Sequence, residues 1–203
     1  MNSMYEADMT PPTTSEKIST FFATLGGFIF SSIEAIVVAL AISVVLYLFF
    51  MTPHEVVGTS MVPNFQNGEH LIANKIIYKV SEPKRGDVVI FKYSDTQDFI
   101  KRVIGMPGDT VSLKDGKFYV NDALLNESEY LSDVVYTGGG DFLHEGESIV
   151  VPEDMYFVSG DNRPHSSDSR EFGPVSVSSI KGKAWLVYFP FSEFRVVDHA
   201  KYN

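Results

Sequence analysis

The chain has 203 residues and no cysteine, and its 16 lysines and arginines against 26 aspartates and glutamates give a formal charge of −10. So acidic a chain, with no basic stripe, excludes nucleic acid as a partner, because phosphate contacts need clustered positive charge. The missing cysteines exclude disulfides, thiolate zinc sites and thiol nucleophiles, and the five histidines show no metal-ligand spacing, so neither metal nor other cofactor is expected.

Residues 1 to about 16 are polar, carry Pro11-Pro12, and read as a loosely held tail. From Ala35 to Met51 runs AIVVALAISVVLYLFFM, without a charge. As a helix it spans roughly 25 Å, a little short of the roughly 30 Å hydrocarbon core, and Ile33, Thr52 and local bilayer thinning supply the rest. A core helix of a soluble domain normally keeps a polar stripe, whereas this run has only Ser43 and Tyr47. It is too long for the apolar region of a cleaved signal peptide and lacks a basic lead-in. The expected organisation is therefore a tail and pre-membrane segment (1–33), a retained transmembrane helix (34–52) and a domain over 53–203. Charge fixes the orientation poorly, since Lys17 stands against Glu6, Asp8, Glu16 and Glu34.

Beyond Thr52 the apolar period changes to about 2, with Gly, Pro and Asp punctuation. Strands are expected over Leu71–Val80, Asp87–Tyr93, Asp98–Gly105, Asp109–Leu113, Ser148–Pro152, Met155–Gly160 and Lys183–Phe189. Asp115-Gly116 between VSL and FYV signals a hairpin. No comparable helix appears after residue 52, and Leu125 to Glu147 reads as an irregular excursion. The fold class is mainly β, closed or sandwich-like.

Without cysteine or metal, hydrolytic chemistry would fall to Ser, Thr, Asp or Glu. Ser60 stands in GTSMVPNF, where a turn could offer main-chain N–H groups as an oxyanion hole, although a serine before a proline is more often a plain turn residue. Lys101 stands in DFIKRVIGMPGD, where strand alternation puts it on one face with Phe99 and Val103. Apolar neighbours disfavour the charged ammonium, and a neutral amine can take a serine proton near neutral pH. The bland reading is a strand lysine whose head reaches water. Gly160–Gly173, GDNRPHSSDSREFG, is a loop in which Asp168 and Arg170, or Asp161 and Arg163, could pair. His165 lies within it, and no role is assigned to it.

In order, these segments resemble the boxes of type I signal peptidases: an apolar helix, Ser60-Met61-Val62-Pro63, RGDVVIF (Arg85–Phe91), KRVIGMPGD (Lys101–Asp109) and GDNRPHSSDSREFG. The likeness covers most of the chain from residue 54 to about 190. It implies Ser60 as nucleophile, Lys101 as general base, Ser166 orienting the lysine amine, and a supporting ion-pair network of Asp168, Arg102 and Arg170. It also implies a β catalytic core with a smaller inserted β region near 110–153, and a lysine at 101 marks the bacterial type. The implied substrates are exported preproteins, cut after small residues at −1 and −3 and bound extended along a strand edge. The implied place is a cell membrane crossed once, with the peptidase domain on the extracytoplasmic side; the oligomeric state stays open, a monomer being favoured. Only nine residues separate Met51 from Ser60, at most about 32 Å, which would hold the site near the bilayer. Asn64 replaces the family's usual Thr or Ser, a change expected to matter little. Gly58 replaces a hydroxyl residue of some relatives, which would leave oxyanion donation to the main chain of Ser60 and Gly58. Two other readings stay open: a regulatory or self-cleaving Ser/Lys peptidase, and a catalytically silent membrane-tethered peptide-binding β-domain.

Overall fold

The structure is a computed structural model that describes residues 13–202 except 133, so most of the polar tail lies outside the described residues. The chain divides into two units, Met1–Tyr47 and Leu48–Asn203. The first is carried by helix α1, Thr14–Phe50, longer at its start than the segment expected from residue 34. The stretch from Ile18 to Ile33 is uncharged as well and continues the same helix. Within it Ser32 Oγ donates to the Phe28 carbonyl and, further on, Ser43 Oγ to that of Ala39, both at 2.8 Å. Lys17–Val45 covers 29 residues with a mean hydropathy of 2.4, and its described side chains face outward. At roughly 1.5 Å per residue this is more than enough to cross a bilayer.

The second unit is built on two sheets. Its elements are β1 (Met51–Glu55), β2 (His70–Asn74), α2 (Ile77–Val80), β3 (Val88–Lys92), β4 (Asp98–Gly105), β5 (Thr110–Lys114), β6 (Lys117–Val120), β7 (Ala123–Leu124), β8 (Ser148–Val150), β9 (Met155–Ser159), α3 (Ser169–Phe172), β10 (Val175–Ser176), β11 (Ile180–Phe189) and β12 (Arg195–Val196). The large sheet runs β1-β2-β11-β3-β4-β9-β10, with β12 on β11; the small one runs β7-β6-β5-β8. This is the mainly β class with a second β region that the sequence indicated. One expected strand is cut short. Leu71–Val80 turns after Asn74, whose Oδ1 accepts from the N–H groups of Ile76 and Ile77 and starts α2.

Two free edges matter for the site. β1 ends the large sheet and pairs only with β2. β4 pairs with β3 along Asp98–Arg102, but β9 joins it only from Arg102 onward, so Asp98–Lys101 keep one open side. Apolar burial fixes both regions. Val56, Met61, Phe65, Leu71, Val88 and Ile90 pack in one cluster, and Val89, Phe91, Val103, Tyr156 and Val158 in another. The small sheet closes on Ile104 and Phe157 through Val111, Leu113 and Phe118.

Gly105 marks the joint between the sheets: a β-carbon there would stand 2.4 Å from Val111 Cγ2 and 3.2 Å from Phe157 Cβ. Gly105→Ala is therefore expected to cost about 1–3 kcal/mol through overpacking, read as a lower midpoint in denaturant unfolding of the detergent-solubilised chain. An unchanged midpoint would contradict so close a joint.

Candidate active site

The nucleophile candidate sits in a turn pinned from both sides. Val62 N–H donates to the Thr59 carbonyl, and Met61 and Phe65, 1% and 2% exposed, sink into the core. Ser60 is thereby held at the surface of a cleft of about 310 Å³, whose walls come from residues 54–60 and 98–101 together with Leu71, Ile90, His165 and Ser167. Lys101 enters from the open-sided part of β4. Its side chain is 3% exposed, lies 5.0 Å from the Phe99 ring centre, and brings Nζ to 2.8 Å from Ser60 Oγ. A second bond ties Nζ to the Ile100 carbonyl at 3.0 Å. Burial pushes the Lys101 ammonium down to about 8, against the upward pull of the Asp168 and Asp161 carboxylates. Neutral Nζ keeps one lone pair, and the Ser60 hydroxyl is the group placed to donate to it.

Both carboxylates are occupied by arginine forks. Asp168 accepts from Arg170 Nε at 2.9 Å and Nη2 at 2.8 Å, from Ser159 Oγ at 3.0 Å and from Gly160 N–H at 2.9 Å. Burial alone would raise its pKa; the Arg170 bonds and charge, with Gly160 and the nearby Ser166 hydroxyl, outweigh that and hold it below the usual range. Asp161 accepts from Arg102 Nε and Nη2, both at 2.8 Å, and from Asn64 Nδ2 at 2.8 Å. The Arg102 guanidinium lies 4.0 Å over the Tyr130 ring.

The geometry brings together Ser60 and Lys101 as the sequence anticipated, and the Asp168–Arg170 pair. It corrects other expectations. Arg102 pairs with Asp161 rather than joining Asp168, and Arg163 pairs with Glu127 and Thr137 Oγ1 rather than with Asp161. Ser166 does not hold the lysine amine: its Oγ packs against Gly160, where a β-carbon would meet it at 2.1 Å, and no partner satisfies hydrogen-bond geometry. Gly58 is not an open oxyanion donor, because its N–H already donates to Asn67 Oδ1 at 2.7 Å. The Ser60 N–H makes no hydrogen bond among the described residues and is left for that task. Asn64, expected to matter little, is tied to both Asp161 and the Tyr130 carbonyl.

Sequence reasoning missed Asn162. Its N–H donates to the Ser60 carbonyl at 3.0 Å and its Nδ2 to that of Thr59 at 3.0 Å, so the Gly160–Gly173 loop grips the Ser60 turn directly. Gly160 makes this approach possible, since a β-carbon there would stand 2.5 Å from the Ser60 carbonyl oxygen. Gly160→Ala should displace the turn, and a shift near 1 Å at a reacting group costs on the order of 10²-fold in rate. Measured kcat/KM for peptide cleavage within a few-fold of the unmodified chain would contradict that contact.

Comparison with known proteins shows the family. The profile of the family described as "Signal peptidase, peptidase S26" matches residues 29–189. Signal peptidase I of Bacillus licheniformis is 38% identical over 178 residues, covering 84% of this chain and 94% of that protein. Signal peptidase IB of Staphylococcus aureus strain Mu50 is 37% identical over 174 residues, covering 80% and 91%. The crystal structure of a signal peptidase I from Enterococcus faecalis V583 aligns over 51% of this chain and 97% of that one, at 35% identity and a TM-score of 0.42.

Proposed function

The chain belongs to the signal peptidase family, peptidase S26, and we propose that within it Ser60 is the nucleophile and Lys101 the general base. It is a membrane-associated serine endopeptidase that removes signal peptides from preproteins. The observation that carries the assignment is the 2.8 Å contact between Ser60 Oγ and an amine that burial brings down to about 8.

Neutral Lys101 takes the Ser60 proton as Oγ attacks the scissile carbonyl. The oxyanion forms beside the Ser60 N–H, a donor worth on the order of 3 kcal/mol in comparable sites. The lysine then gives its proton to the leaving amine, and the acyl group left on Ser60 is released by a water that Lys101 deprotonates. An extended substrate would add main-chain hydrogen bonds to the open edges of β1 and of β4 at Asp98–Lys101, with small side chains at −1 and −3. The helix crosses the membrane once and the peptidase domain works on the extracytoplasmic side. The silent β-domain reading gives no reason for a lysine to be buried against a serine hydroxyl.

Mass spectrometry of a preprotein incubated with the chain should show cleavage after Ala-x-Ala, lost on Ser60→Ala and on Lys101→Ala with the unfolding midpoint retained; processing by either variant would overturn the pairing. The base must be uncharged to act. kcat/KM should therefore rise about tenfold per pH unit below about 8 and level off above it. A flat profile between about pH 6 and 9 would contradict the role of the amine.

A further inference from the structure

Helix α1 is longer than one membrane crossing requires. From Ile18 to Phe50 it carries a single charge, Glu34, and at about 1.5 Å per residue this run is about 50 Å long. To lie wholly within a hydrocarbon core of roughly 30 Å it would tilt by more than about 50°, beyond the roughly 40° that membrane helices reach. It would also hold the Glu34 carboxylate near mid-bilayer, where an ionised group is strongly disfavoured. Placing Glu34 at the membrane surface removes both difficulties. The uncharged run 35–51 is then the span, and 18–33 falls outside the hydrocarbon core. The reverse assignment fails, because 35–51 has no polar stripe and the family profile, which starts at residue 29, takes it in.

Residues 18–33 are two-sided. Ile18, Phe22, Leu25, Ile29 and Ile33 recur at helical spacing on one side, all of them exposed. Thr24, Gly27, Ser31 and Glu34 recur on the opposite side, with Lys17 one heptad before Thr24. Phe21, Phe28 and Phe30 flank the apolar side and are exposed as well. At 3.6 residues per turn the apolar side then takes up more than half the circumference, wider than the seam that a second helix covers. Lipid covers a face of that width, and lipid begins where the span does. Ser32, on the apolar side, turns its hydroxyl back to the Phe28 carbonyl at 2.8 Å, a bond of the kind that bends helices, two residues before Glu34. We propose that residues 18–33 are a second membrane anchor, bent at Ser31-Ser32 to lie along the bilayer surface on the side opposite the peptidase domain. Its isoleucines, Phe22 and Leu25 face the acyl chains, and Thr24, Gly27 and Ser31 face water. No charge lies between Lys17 and Glu34, so the attachment draws on apolar insertion rather than on headgroup charge. This rests on the reading of 35–51 as a membrane span.

The chain has no cysteine, so single cysteines can carry an environment-sensitive fluorophore. The full chain is placed in phosphatidylcholine vesicles, with iodide on both sides as aqueous quencher and nitroxide-labelled lipid as the apolar one. Labels at Phe22→Cys, Leu25→Cys and Ile29→Cys should be quenched by nitroxide. Iodide should quench them at least about threefold less than labels at Thr24→Cys, Gly27→Cys and Ser31→Cys, the signature of a half-sunk helix. A label at Leu40→Cys marks the span and should be closed to iodide. Protection that changes steadily with residue number shows that 18–33 crosses the bilayer, and iodide access at all six positions shows that it stands in water. Either result overturns the inference while the span, read at Leu40→Cys, stands. Protection that grows with the amount of protein per lipid makes a second copy the cover and overturns it as well. Iodide reaching Leu40→Cys overturns the inference together with the span, while cleavage of a preprotein tests the peptidase assignment separately.

Discussion

The contact between Lys101 Nζ and Ser60 Oγ works as chemistry only if the amine is uncharged, and that condition governs the rest of the domain. Bringing a lysine from its ordinary value to about 8 takes on the order of 3 kcal/mol, which the protein supplies by burying the side chain against Phe99 on the open-sided part of β4. Two carboxylates lie near enough to reverse the effect, and each is matched by an arginine fork: Asp168 by Arg170 and Asp161 by Arg102. With the arginine charges beside them, the pull of these carboxylates on the ammonium stays smaller than the effect of burial.

The same groups fix geometry. Asp168 holds the start of the Gly160–Gly173 loop through Gly160 N–H and caps α3 through the Arg170 N–H. Asn162, two residues past Gly160, reaches across to the carbonyls of Thr59 and Ser60. The loop that carries Asp161 and Asp168 thus also sets the position of Ser60. Asn64 and Tyr130 extend this tie to the far side of Asp161 and Arg102.

What the sequence revealed and concealed follows from the range of each interaction. The Ser60–Lys101 pairing was legible because strand period placed Lys101 among apolar neighbours and because the ordered boxes resemble a known family. Asp168–Arg170, two residues apart in a capped turn, was legible locally. Arg102–Asp161 and Arg163–Glu127 were not, because a buried ion pair across distant segments leaves no local trace and the adjacent Asp161–Arg163 pairing looked equally good. Gly58 looked free because nothing in GTSMVPNF announces that Asn67 will return to its N–H. Ser166 carries the right residue type, yet in the fold its hydroxyl packs toward Gly160. α1 began earlier than expected because the uncharged stretch before Glu34 continues the same helix. α2 replaced a strand end because one asparagine carbonyl captures two N–H groups.

The most direct measurement is the protonation of Lys101 itself. Nuclear magnetic resonance of the detergent-solubilised chain carrying labelled lysine, with the Lys101 signal identified by its loss in Lys101→Arg, gives the pKa of that amine alone. The account predicts a midpoint near 8. A midpoint of about 10 or above, the range of a lysine in water, would show that the amine is charged at neutral pH and would remove the basis for Ser60 activation.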